Sequence, residues 1–258
     1  MGTDLTIHWY KVLDSTNRIA KEQALTASDQ TVWAAEVQTH GRGQRGNTWS
    51  SDAGKNLTFS WLVKPANLSP LRQFCISQVA ALGVCDYLEQ WGIPAKIKWP
   101  NDIYVGDRKI CGILIEHSLT SERIQYSVIG IGLNLLQTQF PVELPNPTSM
   151  ALELPLQFTP EMVTVQDELP RLLSSLLKVY ACLDASEEGG GEQLLEELYL
   201  RKLYRLQETA QFIDKTQSPH REFSGRILGL DHRSCLRIYD EDLQQERIFA
   251  FQEVGYCI

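Results

Sequence analysis

Residues 38 to 50 read Gln-Thr-His-Gly-Arg-Gly-Gln-Arg-Gly-Asn-Thr-Trp-Ser, and this run limits the fold more than any other stretch. Gly41, Gly43 and Gly46 are interleaved with Arg42 and Arg45, and Trp49 closes the run. Glycine permits positive φ and close approach of the backbone to a ligand. Successive amides in such a loop can form an anion-binding concavity, and arginine adds a permanent charge with a planar fork. The flanks set the context. Thr31 to Val37 reads as a strand, and Leu57, Phe59, Trp61 and Val63 alternate as a second strand. The spacing Gly41-x-Gly43-x-x-Gly46 also matches a dinucleotide fingerprint, which needs a helix opening on the last glycine. Here a second loop and a strand follow, so the fingerprint is rejected. A kinase loop is rejected as well, because no His-Arg-Asp or Asp-Phe-Gly motif is present.

The chain has 258 residues, enough for a substantial core and one or two domains. A net charge of −8 argues against a nucleic-acid partner. The charge is unevenly placed. Residues 1–118 hold 12 Lys and Arg against 11 Asp and Glu, whereas residues 119–258 hold 12 against 21. An anion site therefore belongs in the first half, with the glycine-rich loop. The six cysteines (Cys75, Cys85, Cys111, Cys182, Cys235, Cys257) form no C-x-x-C pair and read as small buried hydrophobes of a reducing compartment. With no basic, apolar leader in Met1 to Ile7 and no long apolar run, the expectation is a cytoplasmic protein without a membrane span.

Asp14-Ser15-Thr16-Asn17 is a cluster of helix-capping residues, followed by Ile19, Ala20, Ala24 and Leu25 at helical spacing. A second helix starts at Ser69-Pro70 and ends near Gly92. Ala95 to Trp99, a short strand after Asp102, Lys109 to Glu116 and Ile124 to Asn134 read as strands, with a hairpin turn at Val105 to Arg108. Gly130-Ile131-Gly132-Leu133-Asn134 places glycines inside a strand, which marks a bulge or a close approach. Pro141 to Pro160 reads as an irregular connection and Val163 to Leu183 as a helix with a possible break at Pro170. Ser186 to Gly191 reads as a hinge and Glu192 to Leu206 as a last helix. Strands at residues 223–227, 235–239, 247–251 and 254–258 suggest a small separate barrel.

Five motifs in this order resemble the biotin–protein ligases. They are Ser15-Thr16-Asn17, Gly41 to Trp49, Lys98-Trp99-Pro100-Asn101-Asp102, Lys109 to Glu116 and Gly130 to Asn134. The resemblance covers roughly residues 8–150, with the small C-terminal barrel as a further match. It implies an α+β fold: a mixed-sheet ligase domain over residues 1–207 and an SH3-like barrel over 208–258. It also implies activation of biotin by ATP, with Mg²⁺, to biotinyl-5′-AMP and pyrophosphate. Biotin is then transferred to one lysine of a biotin carboxyl carrier protein or domain of acetyl-CoA carboxylase.

Carried over by position, the resemblance puts Arg42, Lys98, Asp102 and Lys109 in catalysis. Ser15, Thr16, Asn17, Gln38, Gly41, Arg42, Trp49, Lys109 and Gly112 would meet biotin. The nucleotide would meet Arg42, Arg45, Trp49, Asn101, Lys109, Asn134, Thr148 and Ser149; no protein-held metal is expected. Asp102 would orient or deprotonate the acceptor lysine. Gln44 stands where some members carry a third loop arginine, and Pro147 where some carry a tryptophan on adenine. Family members that repress transcription add a winged-helix domain; here the motifs begin within the first 20 residues, so a short form without DNA binding is expected, as a monomer or homodimer. The alternatives are a lipoate or octanoyl transferase of the same fold and a non-catalytic biotin-responsive regulator.

Overall fold

The computed structural model describes residues 5–154, 162–184 and 190–258. Its larger sheet has seven strands: β1 (Ile7–Leu13), β2 (Val32–Gln38), β3 (Leu57–Val63), β4 (Ala95–Lys98), β5 (Asp102–Val105), β6 (Arg108–Leu119) and β7 (Ile124–Leu133). Their spatial order is β1-β2-β3-β7-β6-β5-β4. Only β1 and β2 run parallel; every other neighbour pair is antiparallel. The sheet is mixed, as the α+β expectation requires.

The two sheet faces are treated differently. Phe59, Trp61, Ile129 and Ile131 alternate onto one face and join a large core with Ile76, Val79, Ala80 and Val84 of α2 (Phe74–Gln90). The same core takes in Leu172, Leu173 and Leu176 of the helix 165–184 and Leu195 and Tyr199 of the helix 190–202. On the opposite face Trp33, Leu62 and Val128 meet Ala20 and Ala24 at α1 (Thr16–Gln23). α1 is short, so part of that face is left for something else to cover. Every residue of β3 is buried, because both of its faces are occupied.

In chain order the remaining helices are α3 (Met150–Glu153), α4 (Val165–Asp184) and α5 (Gly190–Lys202). The chain leaving α5 pairs with the free edge of β4, where Tyr204 N donates to Ile97 O at 2.8 Å. It then enters a five-stranded antiparallel sheet of order β11-β10-β9-β8-β12. These strands are β8 (Thr209–Asp214), β9 (Arg221–Leu230), β10 (Leu236–Asp240), β11 (Gln245–Phe249) and β12 (Val254–Tyr256). Phe212, Phe223 and Phe249 form its apolar centre.

Several sequence expectations are corrected. β1 and β8 were not foreseen; β1 alternates little, and β8 carries Thr209 and Gln211 exposed beside buried Phe212 and Asp214. α3 lies in the proline-rich connection, nucleated by Ser149, whose hydroxyl accepts from Leu152 N. Pro170 sits inside an unbroken α4. α5 includes Gly190 and Gly191, expected as hinge, and ends at Lys202 instead of Leu206; residues 186–189 of that hinge lie outside the described residues. The strand expected at 247–251 is shifted to Gln245–Phe249, leaving Phe251 exposed. All six cysteines are free, but only Cys75, Cys85 and Cys111 are buried; Cys182, Cys235 and Cys257 are half-buried at element ends.

The small sheet contains a charged network within its fold. Fully buried Asp214 accepts from Arg247 Nη2 at 2.7 Å and from Thr216 Oγ1 at 2.6 Å. Fully buried Asp240 accepts from Arg221, and both guanidiniums lie over Phe223. Burial alone pushes the Asp214 carboxyl up, but Thr216 and Arg247 together outweigh it and lower its pKa to about 2. A depressed carboxylate contributes stability above the unfolded pKa of roughly 4 and loses it as pH falls toward 2. The shift corresponds to roughly 2 kcal/mol. Chemical denaturation followed between pH 5 and 2 should therefore show a stability loss that is smaller in Asp214→Asn, already weakened at pH 5.

Candidate active site

The cavity begins with glycine. Gly112 of β6 lies directly opposite Gly132 of β7, and Gly130 is two residues from Gly132 on the same face. Three neighbouring positions on the poorly covered face of the sheet thus lack side chains. What lies over them explains why. A Cβ on Gly130 would come 2.0 Å from Asn17 Oδ1, one on Gly132 2.3 Å from Trp49 Cε2, and one on Gly112 3.0 Å from Trp49 Cζ3. Asn17 therefore sits on Gly130, and the Trp49 indole lies on Gly132 and Gly112.

The capping residues of α1 do not cap. Ser15 holds the N-cap position without a side-chain capping bond. Thr16 instead donates from its amide (2.8 Å) and hydroxyl (3.1 Å) to Gln38 Oε1. Asn17 donates to Glu116 Oε2 at 3.1 Å, and the Ser60 hydroxyl lies 2.6 Å from Asn17 Oδ1. Ser15, Thr16, Asn17 and Gln38 thus line one wall of the cavity. Ser15, Thr16 and Asn17 are buried at the amino end of α1, and Gln38 is half-buried at the end of β2.

The glycine-rich loop forms the other wall. It folds back on itself: Gly43 N donates to Asn47 O at 2.7 Å, Asn47 N to Gln44 O at 3.1 Å, and Trp49 N to Gly41 O at 2.9 Å. Arg42 and Thr48 make an isolated antiparallel bridge. Gly46 has φ +80, and a Cβ on Gly41 would lie 2.3 Å from the Trp49 carbonyl oxygen. Both positions therefore require glycine. Gln44 reaches inward, donating to Asn101 Oδ1 at 2.9 Å, and Asn101 in turn donates to Ile113 O at 2.9 Å.

Lys109 Nζ pairs with Asp102 Oδ1 at 2.8 Å. Both residues line the cavity of about 170 Å³ over the glycines. Both also line a neighbouring hollow of about 480 Å³ with Tyr104, Asn134, Phe140, Asn146 and Pro147. Trp49 belongs to both linings, so the ion pair and the indole stand at the junction of two compartments. A third hollow, outside the loop, is lined by His40, Gly41, Arg42, Ser50 and Glu116 among others. The indole nitrogen of Trp49 is buried without a hydrogen-bond partner, a donor open to an acceptor from a ligand.

Of the residues expected to act together, Ser15, Thr16, Asn17, Gln38, Arg42, Trp49, Asp102, Lys109 and Gly112 all line the cavity. Gly41 backs the outer hollow, and Asn134 lines the neighbouring one. Arg42 lies at the mouth, its side chain 52% exposed and 3.7 Å from Glu116. Asn101, Thr148 and Ser149 are buried: Asn101 Nδ2 donates to Ile113 O, Ser149 Oγ accepts from Leu152 N, Thr148 Oγ1 donates to the Glu153 carboxylate, and Thr148 O accepts from Asn134 Nδ2. Lys98 lines neither compartment; its Nζ donates to Tyr104 OH at 3.1 Å. The side chain of Arg45 lies outside the described residues.

Glu116 is the residue to which sequence reasoning assigned no role. It takes Lys21 at 2.8 Å, Asn17 and Arg42, and these partners hold its carboxyl below the usual range against the upward push of burial. Counting alternate residues along β6 from Gly112 would have placed it on the cavity face. Ser60 had no such signal, since its place beside Gly130 depends on the β3–β7 register.

The family model described as the biotin/lipoate A/B protein ligase family matches residues 9–134. The match ends within one residue of Gly132-Leu133 and contains the loop, the corner and the glycine floor. The bifunctional ligase/repressor BirA of Bacillus subtilis is 37% identical over 149 residues, 56% of this chain and 45% of that protein. The biotin–[acetyl-CoA-carboxylase] ligase of Paracoccus denitrificans is 38% identical over 125 residues, 47% of this chain and 51% of that one. The matches thus span about half the length of these curated relatives. Among solved structures, the biotin protein ligase of Aquifex aeolicus in complex with biotin and ATP superposes with a TM-score of 0.74 at 25% identity, covering 98% of this chain and 99% of that one. The ligase fold therefore extends through the C-terminal sheet.

Because a Cβ at position 41 must displace the Trp49 carbonyl, Gly41→Ala should open the loop's internal bonds. Amide exchange at Gly43, Asn47 and Trp49 should accelerate at least about tenfold while α2 is unchanged. Unaltered exchange at those three amides would mean that the fold-back does not depend on Gly41.

Proposed function

We propose that this protein activates biotin with ATP to biotinyl-5′-AMP and transfers the biotinyl group to a lysine of a biotin carboxyl carrier domain. The observation that carries this reading is the Lys109–Asp102 ion pair at the junction of two compartments. A two-substrate condensation needs its reacting atoms to meet at such a junction. The narrow cavity suits a compact apolar ring with polar edges, and Ser15, Thr16, Asn17 and Gln38 supply hydrogen-bonding groups for a ureido ring. The larger hollow beside Asn134 and Phe140 suits the nucleotide, with Phe140 offering an aromatic face beside Pro147. The names of the relatives support the same chemistry.

In the first step a biotin carboxylate oxygen bonds to the α-phosphorus of ATP, and the bond from that phosphorus to the bridging oxygen breaks, releasing pyrophosphate. Two anions must approach, so cations have to be in place beforehand. Lys109 stands at the junction, and Arg42 at the mouth can swing inward from its long contact with Glu116. The amides of Gly43, Asn47 and Trp49 already donate within the loop and are not free anion donors in this arrangement. Mg²⁺ would arrive with the polyphosphate; among the described residues no group of three His, Cys, Asp or Glu side chains could cage it.

In the second step a neutral lysine amine of the carrier attacks the biotinyl carbonyl, AMP leaves, and the amine proton must be taken up. A phosphate that draws Lys109 toward itself frees Asp102 from its ion pair, and Asp102 then orients or deprotonates the incoming amine. Water exclusion falls to the Trp49 indole lying over the glycine floor. No helix among the described residues is long and apolar enough to cross a membrane, and the proposed setting is the cytoplasm, where carrier domains and ATP are found together.

Purified protein should exchange pyrophosphate into ATP only when biotin and Mg²⁺ are both present. Equal exchange with lipoate or octanoate would move the chain to the other branch of its family. Lys109→Ala should lower adenylate formation by on the order of 10²-fold. Asp102→Asn should lose acyl transfer more than adenylation in single-turnover assays; equal loss of both would refute its role with the acceptor amine.

A further inference from the structure

The corner from Lys98 to Asp102 is tied to four different parts of the molecule by consecutive residues. Lys98, at the end of β4, extends between two aromatic rings, with Nζ 4.7 Å from the Tyr104 centroid and 5.0 Å from that of Tyr256. Tyr104 belongs to the catalytic sheet, but Tyr256 is in β12 of the C-terminal sheet. Trp99 donates from Nε1 to the Ser234 carbonyl at 3.1 Å, and its ring meets Phe251 edge-on at 5.9 Å; both partners are again in the C-terminal unit. Pro100 O accepts from Tyr199 of α5 at 2.7 Å, and Asn101 accepts from Gln44 of the glycine loop. Asp102 then faces Lys109.

The C-terminal sheet thus grips two successive residues of the corner, Lys98 and Trp99. Tyr104, Tyr204 and Tyr256 form a contiguous aromatic row beneath Lys98, with centroids 5.5 and 6.1 Å apart. Arg205, which closes that row over Tyr204, also bonds Cys257 O at 3.1 Å. Lys98 is among like charges: Lys109, Arg205 and Lys215 disfavour its ammonium, and Asp102 favours it. Burial does most to bring its pKa down, to about 8. An ammonium in such surroundings stays where the rings hold it.

We infer that the C-terminal sheet is a positioning element of the active site, with Tyr256 fixing the Lys98 ammonium and the Ser234 carbonyl fixing Trp99, so that Asp102 meets Lys109 in register. This rests on the function proposed above and deepens it: Tyr256 touches no substrate and acts through Lys98. The unit then acts on the site from outside it, for none of its residues lines the cavity of about 170 Å³. The phenol oxygen of Tyr256 has no hydrogen-bond partner, so it is the ring that the inference requires.

The test compares Tyr256→Leu with Tyr256→Phe in the full chain, using two independent readouts. In biotin-dependent pyrophosphate exchange, Tyr256→Leu should lower kcat about tenfold with KM for biotin unchanged, the cost of a misplaced group. Tyr256→Phe keeps the ring and should stay within about twofold of the parent. Separately, reductive methylation of Lys98, read by peptide mass spectrometry, should be about fivefold faster in Tyr256→Leu and unchanged in Tyr256→Phe. If Tyr256→Leu does not fold, Trp99→Phe removes the donor to Ser234 and shortens the ring that meets Phe251, and should show the same loss of kcat at constant KM. Equal Lys98 labelling in all proteins, a Phe variant as impaired as Leu, or a Trp99→Phe enzyme with full kcat would overturn the inference. Absence of exchange in the parent protein would count against the proposed function and leave the labelling test in force.

Discussion

A patch of sheet without side chains sets the terms for the rest of the molecule. Gly112, Gly130 and Gly132 are brought together by the register of β6 on β7, and a one-residue slip of β7 would turn Gly130 and Gly132 to the other face. On that other face lies the large core with α2, α4 and α5, so the register is fixed by Ile113, Ile129 and Ile131 burying themselves there. The hydrophobic core therefore does two things with one alignment: it packs one side of the sheet and leaves a floor on the other.

The floor needs a cover, and the cover carries the chemistry. α1 is too short to shield the whole face, and it lends Thr16 and Asn17 to one wall. The loop from Gly41 to Trp49 shields the remainder by laying an indole across two glycines. A lysine–aspartate pair closes the gap toward the second compartment. Glu116 gathers Lys21 at 2.8 Å, Asn17 at 3.1 Å and Arg42 at 3.7 Å.

Much of this arrangement could be read from the residues. The alternating strands on either side of the loop, the glycines inside β7 and the hairpin at Val105 to Arg108 all carry local signals that survive in the fold. The α+β class and the ligase architecture followed from them and from the family resemblance. What could not be read was long-range pairing. Lys98 resembles Lys109 in sequence, each lying near a corner or turn, yet Tyr256, more than 150 positions away, holds Lys98 aside while Lys109 enters the site. Asn101, expected at the nucleotide, joins Gln44 to Ile113 O, a long-range link with no local signal in the sequence. β1 was hidden for a related reason. It is an edge strand with exposed Trp9 and Val12, so burial imposes no clean alternation on it.

The claim at the centre of this account is that biotin binds in the cavity walled by Thr16, Asn17 and Gln38 on one side and the glycine-rich loop on the other, with the Trp49 indole seated on Gly132 and Gly112. Calorimetric titration of biotin onto the parent protein and onto Gly132→Ala addresses it directly, with the melting temperature of each measured in parallel. The added methyl must displace the Trp49 indole, whose Cε2 lies 2.3 Å from its position, and should weaken biotin at least about tenfold, about 1.4 kcal/mol. Equal affinity in the two proteins, both folded, would place the ligand elsewhere and contradict the account.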